Sequence, residues 1–262
     1  MIRNQRGDVA YYSFDALGKH PQVLNAVFTR LGSRRPAHWG LNVGRTVGDS
    51  YETVESNHRL IYDTLGISGA EVVTARQVHG NRVVAVSIDQ CGSVVADADA
   101  LVTSEPGVIL MMRFADCVPI LLYDPCAGAA GLVHAGWRGT AAEVGPRALG
   151  AMRDAFGTQP ENVIAALGPA VGPCCYQVGP EVTQALEPTL LDPSQAILEN
   201  QDGHYSLDLW QANAQQLTGR GVRQLEIARI CTSCHVEEFF SHRAEAGQTG
   251  RFAVLFGIRG EP

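Results

Sequence analysis

The sequence predicts an α/β domain, and three features of the chain support that fold class. Apolar runs of strand length, such as NVIAALG and VPILLYD, alternate with segments whose apolar residues recur at helical spacing. Neither an internal repeat nor a Pro/Gly/Ser-rich linker divides the 262 residues. We therefore expect residues 1–262 to form a single domain, with one or two sheets.

The composition is that of an ordinary globular protein and argues against several other classes of protein. The chain is 45% hydrophobic and carries a net charge of −7, whereas general nucleic-acid binding needs a basic face. No apolar run reaches the ~20 residues of a membrane helix, and the N-terminal segment lacks the apolar core of a signal peptide. We expect a cytoplasmic monomer or small homo-oligomer that binds neither nucleic acid nor membrane.

Capping signals predict three helices. Pairs spaced like capping boxes indicate helix starts, and glycines at the C′ position close the first two helices at Gly66 and Gly157. Apolar stripes follow two of these starts and predict buried helix faces. The capping pairs are Asp49–Glu52, Thr140–Glu143 and Asp208–Gln211, and the stripes are Val54, Ile61, Leu65 and Val144, Ala148, Met152.

Two strand pairs are predicted as hairpins. The segment EVVTARQVHGNRVVAVSI has Gly80-Asn81 as its tight connection, which places His79 at the tip. The segment ADCVPILLYDPCAGAAGLVHAG turns at residues 124–128. Cys117 and His134 are equally far from that turn, so we expect them to face each other, with Cβ atoms ~5 Å apart.

A thiol beside an imidazole permits either metal ligation or a Cys–His catalytic pair. A catalytic zinc normally keeps three protein ligands, and His79 is the best third candidate, although spacing alone does not bring the two hairpins together. The alternative is that Cys117 and His134 simply fill the core. Arg138 and the predicted helix start at Thr140 follow directly and favour an anion.

The motif CTSCH at Cys231–His235 matches the attachment pattern for c-type haem and also contains a redox-type CxxC. Haem attachment occurs outside the cytosol, and the flanking pattern of a thioredoxin-like fold is missing. A zinc knuckle needs a second cysteine pair, and the adjacent Cys174-Cys175 has the wrong spacing. We therefore expect these cysteines to line a pocket wall or the core.

Six motifs in order carry a family resemblance. They are RQVHG, ADALVT, ADCVPILLYDP, GLVHAGWRGT, GPAVGPCCYQVG and CT-x9-SHR-x6-GR. Together they resemble the YfiH-like family, also called laccase-domain or polyphenol-oxidase proteins and described as purine nucleoside phosphorylases. The sequence departs from the family pattern at Thr46, Gln177 and Ala244, outside the metal-binding motifs.

The resemblance implies a zinc ion bound by His79, Cys117 and His134. It implies a compact α/β fold with layered mixed β-sheets flanked by helices, similar to cysteine-hydrolase-like toxin domains. The implied partners are purine nucleosides and phosphate. The implied activities are phosphorolysis of adenosine, inosine and S-methyl-5'-thioadenosine and deamination of adenosine, while some members are linked to copper-dependent phenol oxidation or peptidoglycan editing.

Within that expectation we assign candidate roles. Cys117, Asp116 and Arg138 are candidate catalytic residues, with Asp116 as a proton carrier or an orienting group. Candidate substrate contacts are Arg45, Gln77, Arg138 and Thr140. Three alternatives stay open: a metal-free Cys–His hydrolase or amidase, a copper-dependent polyphenol oxidase, and a scaffold in which the trio is only structural.

Overall fold

The computed structural model describes residues 1–32, 39–95, 97–200 and 203–260. Its helices are α1 (Asp15–Gly18), α2 (Tyr51–Leu65), α3 (Trp137–Ala141), α4 (Val144–Phe156), α5 (Pro180–Leu186) and α6 (Leu209–Gly219). Its strands are β1 (Ile2–Arg6), β2 (Val9–Ser13), β3 (Val23–Phe28), β4 (Val72–Ala75), β5 (Val83–Ala85), β6 (Val94–Val95), β7 (Ala100–Thr103), β8 (Ile109–Phe114), β9 (Val118–Asp124), β10 (Ala129–Ala135), β11 (Ile164–Leu167), β12 (Gln177–Val178), β13 (Ile197–Glu199), β14 (Tyr205–Leu207), β15 (Gln224–Ile227) and β16 (Phe252–Ile258).

The described strands form two large sheets and one small one. The first large sheet has the order β1-β2-β3-β16-β8-β4-β6, and the second has the order β15-β11-β9-β10-β7-β5. A three-stranded sheet, β12-β14-β13, lies beside them. Both large sheets are mixed, because β4–β8 and β11–β15 pair in parallel while β9–β10 and β3–β16 pair antiparallel.

The two large sheets pack face to face between helices. Side chains alternate along each strand, so Leu121 and Tyr123 of β9 join one core cluster while Ile120 and Leu122 join another. The first cluster also holds β8 and β16 residues and fills the space between the sheets. The second packs against α4 and α6, and a third joins α2 to the outer face of the first sheet. The predicted α/β fold with layered mixed sheets is confirmed.

The predicted helices exist, but two of their starts differ. Helix α2 begins after Ser50 rather than Asp49, because the Ser50 hydroxyl accepts a hydrogen bond from the Thr53 N–H at 3.3 Å. The proposed capping box of Thr140 and Glu143 is wrong, since Thr140 lies inside α3 and α4 starts from Glu143 in the left-handed region without a side-chain cap. Asp208 does cap α6, by accepting from the Gln211 N–H at 2.9 Å.

The two predicted hairpins had different outcomes. β9 and β10 form a hairpin, but His134 pairs with Pro119, so the register is shifted by two residues from the expected Cys117–His134 pairing. The hairpin around Gly80-Asn81 is wrong, because β4 belongs to the first large sheet and β5 to the second. Residues 76–82 instead cross between the sheets. None of the described helices combines the length and apolarity that crossing a membrane requires.

Candidate metal centre and pocket

His79, Cys117 and His134 meet at one end of the sheet sandwich. His79 lies on the crossing between β4 and β5, Cys117 lies just before β9, and His134 lies near the end of β10. One ligand atom from each lies within 4.8 Å of the others, and the two imidazole rings have centroids 4.8 Å apart. The ligands of a tetrahedral zinc lie about 3.3–3.8 Å apart, so small side-chain adjustments bring the trio to that geometry.

The register explains why the trio forms. Side chains two positions apart on a strand point to the same face, so a shift of two residues leaves Cys117 and His134 facing the same way. Gly136, opposite Cys117, provides the space for the sulfur. A Cβ at Gly136 would lie 2.8 Å from Cys117 Sγ and 3.5 Å from the His79 ring, which is too close for the thiol.

Asp99 holds two of the three ligands in place. Its fully buried carboxylate accepts hydrogen bonds from the backbone N–H groups of Val78, His79 and Gly80 at 3.2, 2.9 and 2.7 Å. It also accepts from His134 Nδ1 at 2.8 Å, which leaves Nε2 as the nitrogen available to a metal. The sequence placed Asp99 in the ADALVT motif but assigned it no role.

The electrostatics of the metal-free trio favour an ion pair. Burial raises the pKa of the Cys117 thiol, but the charge of His134 and hydrogen bonds from His134 and His79 outweigh it and lower the pKa to about 6. Burial lowers the pKa of His134, but the Cys117 thiolate and Asp99 outweigh it and raise the pKa to about 9. The thiolate is the metal-binding form of cysteine, while the imidazolium must lose its proton when a metal binds.

The trio forms part of the wall of a cavity of about 1020 Å³. Among the described residues that line it, Asp116 is the only carboxylate. Beside this carboxylate, two of the lining arginines pair with carboxylates of Glu55 and Asp97 outside the lining. The arginines of the lining are Arg45, Arg76, Arg113, Arg138, Arg243 and Arg251. In a chain of net charge −7, this concentration of guanidinium groups gives the cavity a local excess of positive charge.

The predicted substrate contacts divide into two groups. Arg138 and Arg45 line the cavity: Arg138 lies over the Trp137 ring at 4.3 Å, and Arg45 pairs with Glu55 at 2.6 Å. Gln77 also lines it, but its side-chain amide donates to the Arg113 carbonyl and accepts from the Arg113 N–H. Gln77 therefore ties the crossing segment to β8.

Thr140 lies away from the cavity. Its side chain is fully buried, its hydroxyl accepts a hydrogen bond from Asn213 at 3.0 Å, and its N–H donates to the Gly136 carbonyl at 2.8 Å. The expectation that Thr140 marks a helix start that binds an anion is corrected, because α3 begins at Trp137 and the Thr140 N–H is already used.

Asp116 sits at the turn between β8 and β9 with a φ of 83°, a strained conformation for a residue other than glycine. Its carboxylate accepts from the Thr232 hydroxyl and from the Arg243 N–H, both at 2.6 Å. These bonds tie the turn that carries Cys117 to the loop after β15. Asp116 therefore orients the wall of the cavity.

The cysteine motif lies in an unexpected arrangement. The spacing of Cys174-Cys175 argued against a zinc knuckle, yet the sulfurs of Cys174, Cys175, Cys231 and Cys234 all lie within 4.8 Å of one another. Spacing rules could not show this, since the two cysteine pairs are far apart along the chain and come together only through tertiary structure. The expectation that these cysteines line a pocket wall or the core holds for the buried Cys231 but not for Cys174 and Cys234, which are exposed.

Comparison with known proteins relates this architecture to a family. The family model described as "Multi-copper polyphenol oxidoreductase laccase" matches residues 25–259. Purine nucleoside phosphorylase YlmD of Geobacillus stearothermophilus is 39% identical over 233 residues, which cover 84% of each chain. A purine nucleoside phosphorylase of Bacteroides thetaiotaomicron is 35% identical over 262 residues, which cover 96% of each chain.

A solved structure shares the whole fold. The crystal structure of YlmD from Geobacillus stearothermophilus superimposes with a TM-score of 0.92 at 34% identity, covering 99% of each chain. The similarity thus includes both sheets and the segments that carry the trio. The chain belongs to the YfiH- and YlmD-like laccase-domain family.

Proposed function

We propose that the chain is a zinc-dependent purine nucleoside phosphorylase in which residues 1–262 act as one catalytic domain. The reaction joins phosphate to the ribose C1′ as the bond from C1′ to the purine nitrogen breaks, giving ribose 1-phosphate and the free base. The names of the curated relatives support this activity. The observation that carries it is the His79–Cys117–His134 trio in the wall of a cavity lined by six arginines.

Arg138 is our principal candidate for binding phosphate. Within the described residues its guanidinium has no ion pair or hydrogen bond with the protein, only the contact with the Trp137 ring. Arg243 and Arg251 line the same cavity, and their side-chain hydrogen bonds go to the backbone carbonyls of Gln177, Thr249 and Gly250. Guanidinium groups bind phosphate oxygens in a bidentate manner, so these side chains can hold the anion for attack.

The neutral nucleoside needs a flatter, less charged surface. Trp137 and Tyr176 line the cavity and provide aromatic faces on which a purine can stack. Asp116 stays ordered by its bonds from Thr232 and Arg243, and we propose that it keeps the wall that carries Arg243 in place.

The trio fits zinc by its donor set of one thiolate and two imidazoles, with Asp99 orienting His134. A zinc ion in such a site supplies a Lewis acid in the cavity and can lower the pKa of a water.

We propose the same cavity for hydrolytic deamination of adenosine to inosine and ammonia. Copper is the alternative occupant, because the family description names copper and a His2Cys set also suits that metal.

The test incubates the purified protein with inosine, adenosine or S-methyl-5'-thioadenosine, with and without phosphate, and separates the products by chromatography. We expect free base and the sugar 1-phosphate only when phosphate is present: ribose 1-phosphate from inosine or adenosine, and 5-methylthioribose 1-phosphate from S-methyl-5'-thioadenosine. Inosine should form from adenosine in both conditions. Zinc should be present at the trio and lost in His79→Ala and Cys117→Ser. The proposal fails if phosphate yields no free base from any of the three nucleosides.

One observation favours a second candidate, a metal-free Cys–His hydrolase. Cys117, His134 and Asp99 are arranged as nucleophile, base and orienting carboxylate, and the pKa of Cys117 is lowered to about 6. The two candidates differ in the role of His79. Full activity in metal-free protein and in His79→Ala would support the hydrolase, whereas loss of activity on chelation, restored by zinc, supports the metalloenzyme.

A further inference from the structure

The four cysteines Cys174, Cys175, Cys231 and Cys234 form a cluster outside the trio, referred to below as the four-cysteine cluster. Cys174 and Cys175 lie in the loop after β11, and Cys231 and Cys234 lie in the loop after β15. The sulfurs of Cys174 and Cys175 lie 3.6 and 3.4 Å from that of Cys234, and none of the four is in a disulfide. The proposed phosphorolysis does not use this cluster.

Backbone contacts hold the two loops together at this point. Ala170 and Cys231 form a parallel β-bridge, in which the Thr232 N–H donates to the Ala170 carbonyl at 2.9 Å. Two tight turns, closed by Cys175 N–H to the Gly172 carbonyl and Cys234 N–H to the Cys231 carbonyl, aim the thiols of each pair at the other pair. The cluster is therefore built by the backbone and is not an accidental meeting of mobile side chains.

The separations match a tetrahedral metal better than a disulfide. A zinc–sulfur bond of about 2.3 Å places the sulfurs of a tetrahedral site about 3.8 Å apart, whereas a disulfide needs about 2.05 Å. The four sulfurs here all lie within 4.8 Å of one another, and the Cys175 and Cys234 sulfurs are 3.4 Å apart. The Gly172 N–H donates to Cys231 Sγ at 3.2 Å, the kind of outer bond that stabilises a thiolate ligand.

The chemistry of the donors selects the ion. Four thiolates are soft ligands and saturate a tetrahedral centre, which is the arrangement of structural zinc sites. Cys174 and Cys234 are exposed while Cys231 is buried, so an ion can enter from solvent with its inner ligand already fixed. Binding releases four thiol protons to solvent and transfers no electrons.

We propose that the four-cysteine cluster binds a second zinc ion, with a structural role distinct from that of the trio. The ion links the loop that carries Val171 and Tyr176 to the loop that carries His242 and Arg243, and these four residues line the cavity. Thr232 lies between two of its ligands and donates to Asp116, next to Cys117. The second site thereby fixes the wall of the cavity without touching the substrate.

The test measures metal content and coordination in protein purified under reducing conditions, without chelator, from zinc-supplemented cells. Wild-type protein should contain two zinc ions per chain, with X-ray absorption showing five sulfur and two imidazole ligands spread over the two ions. His79→Ala/His134→Ala should retain one zinc with four sulfur ligands at about 2.3 Å. Cys174→Ser/Cys234→Ser should retain one zinc with mixed sulfur and imidazole ligands, and the exposed Cys126→Ser should retain both.

Wild-type protein whose only zinc has mixed sulfur and imidazole ligands, or a His79→Ala/His134→Ala variant that binds none while its circular dichroism is native, would overturn the second site. A Cys174–Cys234 or Cys175–Cys234 disulfide found by mass spectrometry in the reduced preparation would overturn it too. The proposed phosphorolysis and the proposed second zinc site can be tested independently. Failure of phosphorolysis leaves the four-sulfur signal of the histidine variant in place, and failure of the four-cysteine site leaves the trio's zinc in place.

Discussion

At the scale of single residues, Gly136 decides whether the trio can form. Because an added Cβ would lie 2.8 Å from Cys117 Sγ, Gly136→Ala should displace the sulfur and lower zinc occupancy of the trio at least tenfold. Gly136 has a φ of −79°, so the effect is steric and does not come from backbone strain. Zinc content measured by mass spectrometry in the Cys174→Ser/Cys234→Ser background checks it.

The matched control is Gly150→Ala, since a Cβ there meets no atom within 4 Å and the position lies inside α4. That substitution should keep full zinc occupancy and stabilise the fold slightly, by up to about 1 kcal/mol. Equal zinc content in Gly136→Ala and Gly150→Ala would contradict the steric argument.

Asp99 is the second residue whose contribution to zinc binding at the trio can be measured by a single substitution. Asp99→Asn keeps the shape of the side chain but removes the charge that His134 Nδ1 and three backbone N–H groups share. We expect the zinc affinity of the trio to fall 10–100-fold, as for other outer partners of metal-bound histidines. Competition with a chromophoric chelator measures the dissociation constant, and Asp154→Asn, an exposed change on α4, should leave it unchanged.

At the scale of elements, the β9–β10 hairpin shows what the sequence could and could not predict. Two apolar runs and the turn residues predicted the hairpin, and the turn lies where expected, but the last pair of the ladder is Asp124 with Ala129, which shifts the register by two. Asp124 Oδ1 closes this turn by accepting from the N–H groups of Cys126 and Ala127. The prediction that Cys117 and His134 meet is still correct, because side chains on a strand return to the same face every two residues. A shift of one residue would have put them on opposite faces.

The other incorrect predictions have one cause: the segments involved contact residues that are distant in sequence. Gly80-Asn81 is a good local turn signal, yet β4 pairs with β8 and β5 pairs with β7, so the segment crosses between sheets and is held by Asp99. The meeting of Cys174 with Cys234 likewise depends on the bridge between Ala170 and Cys231. Local patterns contain no information about either contact.

Helix α2 carries a buried histidine that makes stability depend on pH. Burial lowers the pKa of His58 from 6.5 to about 4, with Arg45 adding to the shift, and the ring contacts the Tyr62 hydroxyl and the Val43 carbonyl. The unfolded chain binds this proton more readily. The contribution of neutral His58 is therefore complete above pH 6.5 and is lost as the pH falls towards 4.

We expect this linkage to remove about 3 kcal/mol of unfolding free energy between pH 6.5 and 4. His58→Gln cannot be protonated, so the stability difference between wild type and variant should shrink, or reverse in sign, as the pH falls. Urea unfolding at pH 7 and pH 4.5 measures both proteins. A difference that stays constant over this range would show that His58 keeps its ordinary pKa in the fold.

At the scale of the whole molecule, charge is distributed unevenly. The chain is acidic overall, yet one cavity gathers six arginines around one carboxylate beside the trio. The overall charge repels a phosphate dianion at long range, while the cavity attracts it at short range. Salt screens interactions over a Debye length of about 10 Å at 0.1 M, so the phosphate step should be far more sensitive to salt than the binding of a neutral nucleoside.

This contrast gives the last prediction. Raising sodium chloride from about 20 to 200 mM should increase the KM for phosphate several-fold and leave the KM for inosine nearly constant, because only phosphate is charged. Arg138→Gln should raise the phosphate KM at low salt by about tenfold and reduce its dependence on salt, since Arg138 is the one arginine of the described cavity lining whose guanidinium has no ion pair or hydrogen bond with the described protein. Arg153→Gln, an exposed change at a surface pair with Asp154, is the matched control and should follow wild type. Parallel salt curves for Arg138→Gln and Arg153→Gln would mean that phosphate binds elsewhere in the cavity, with Arg243 and Arg251 as the next side chains to replace.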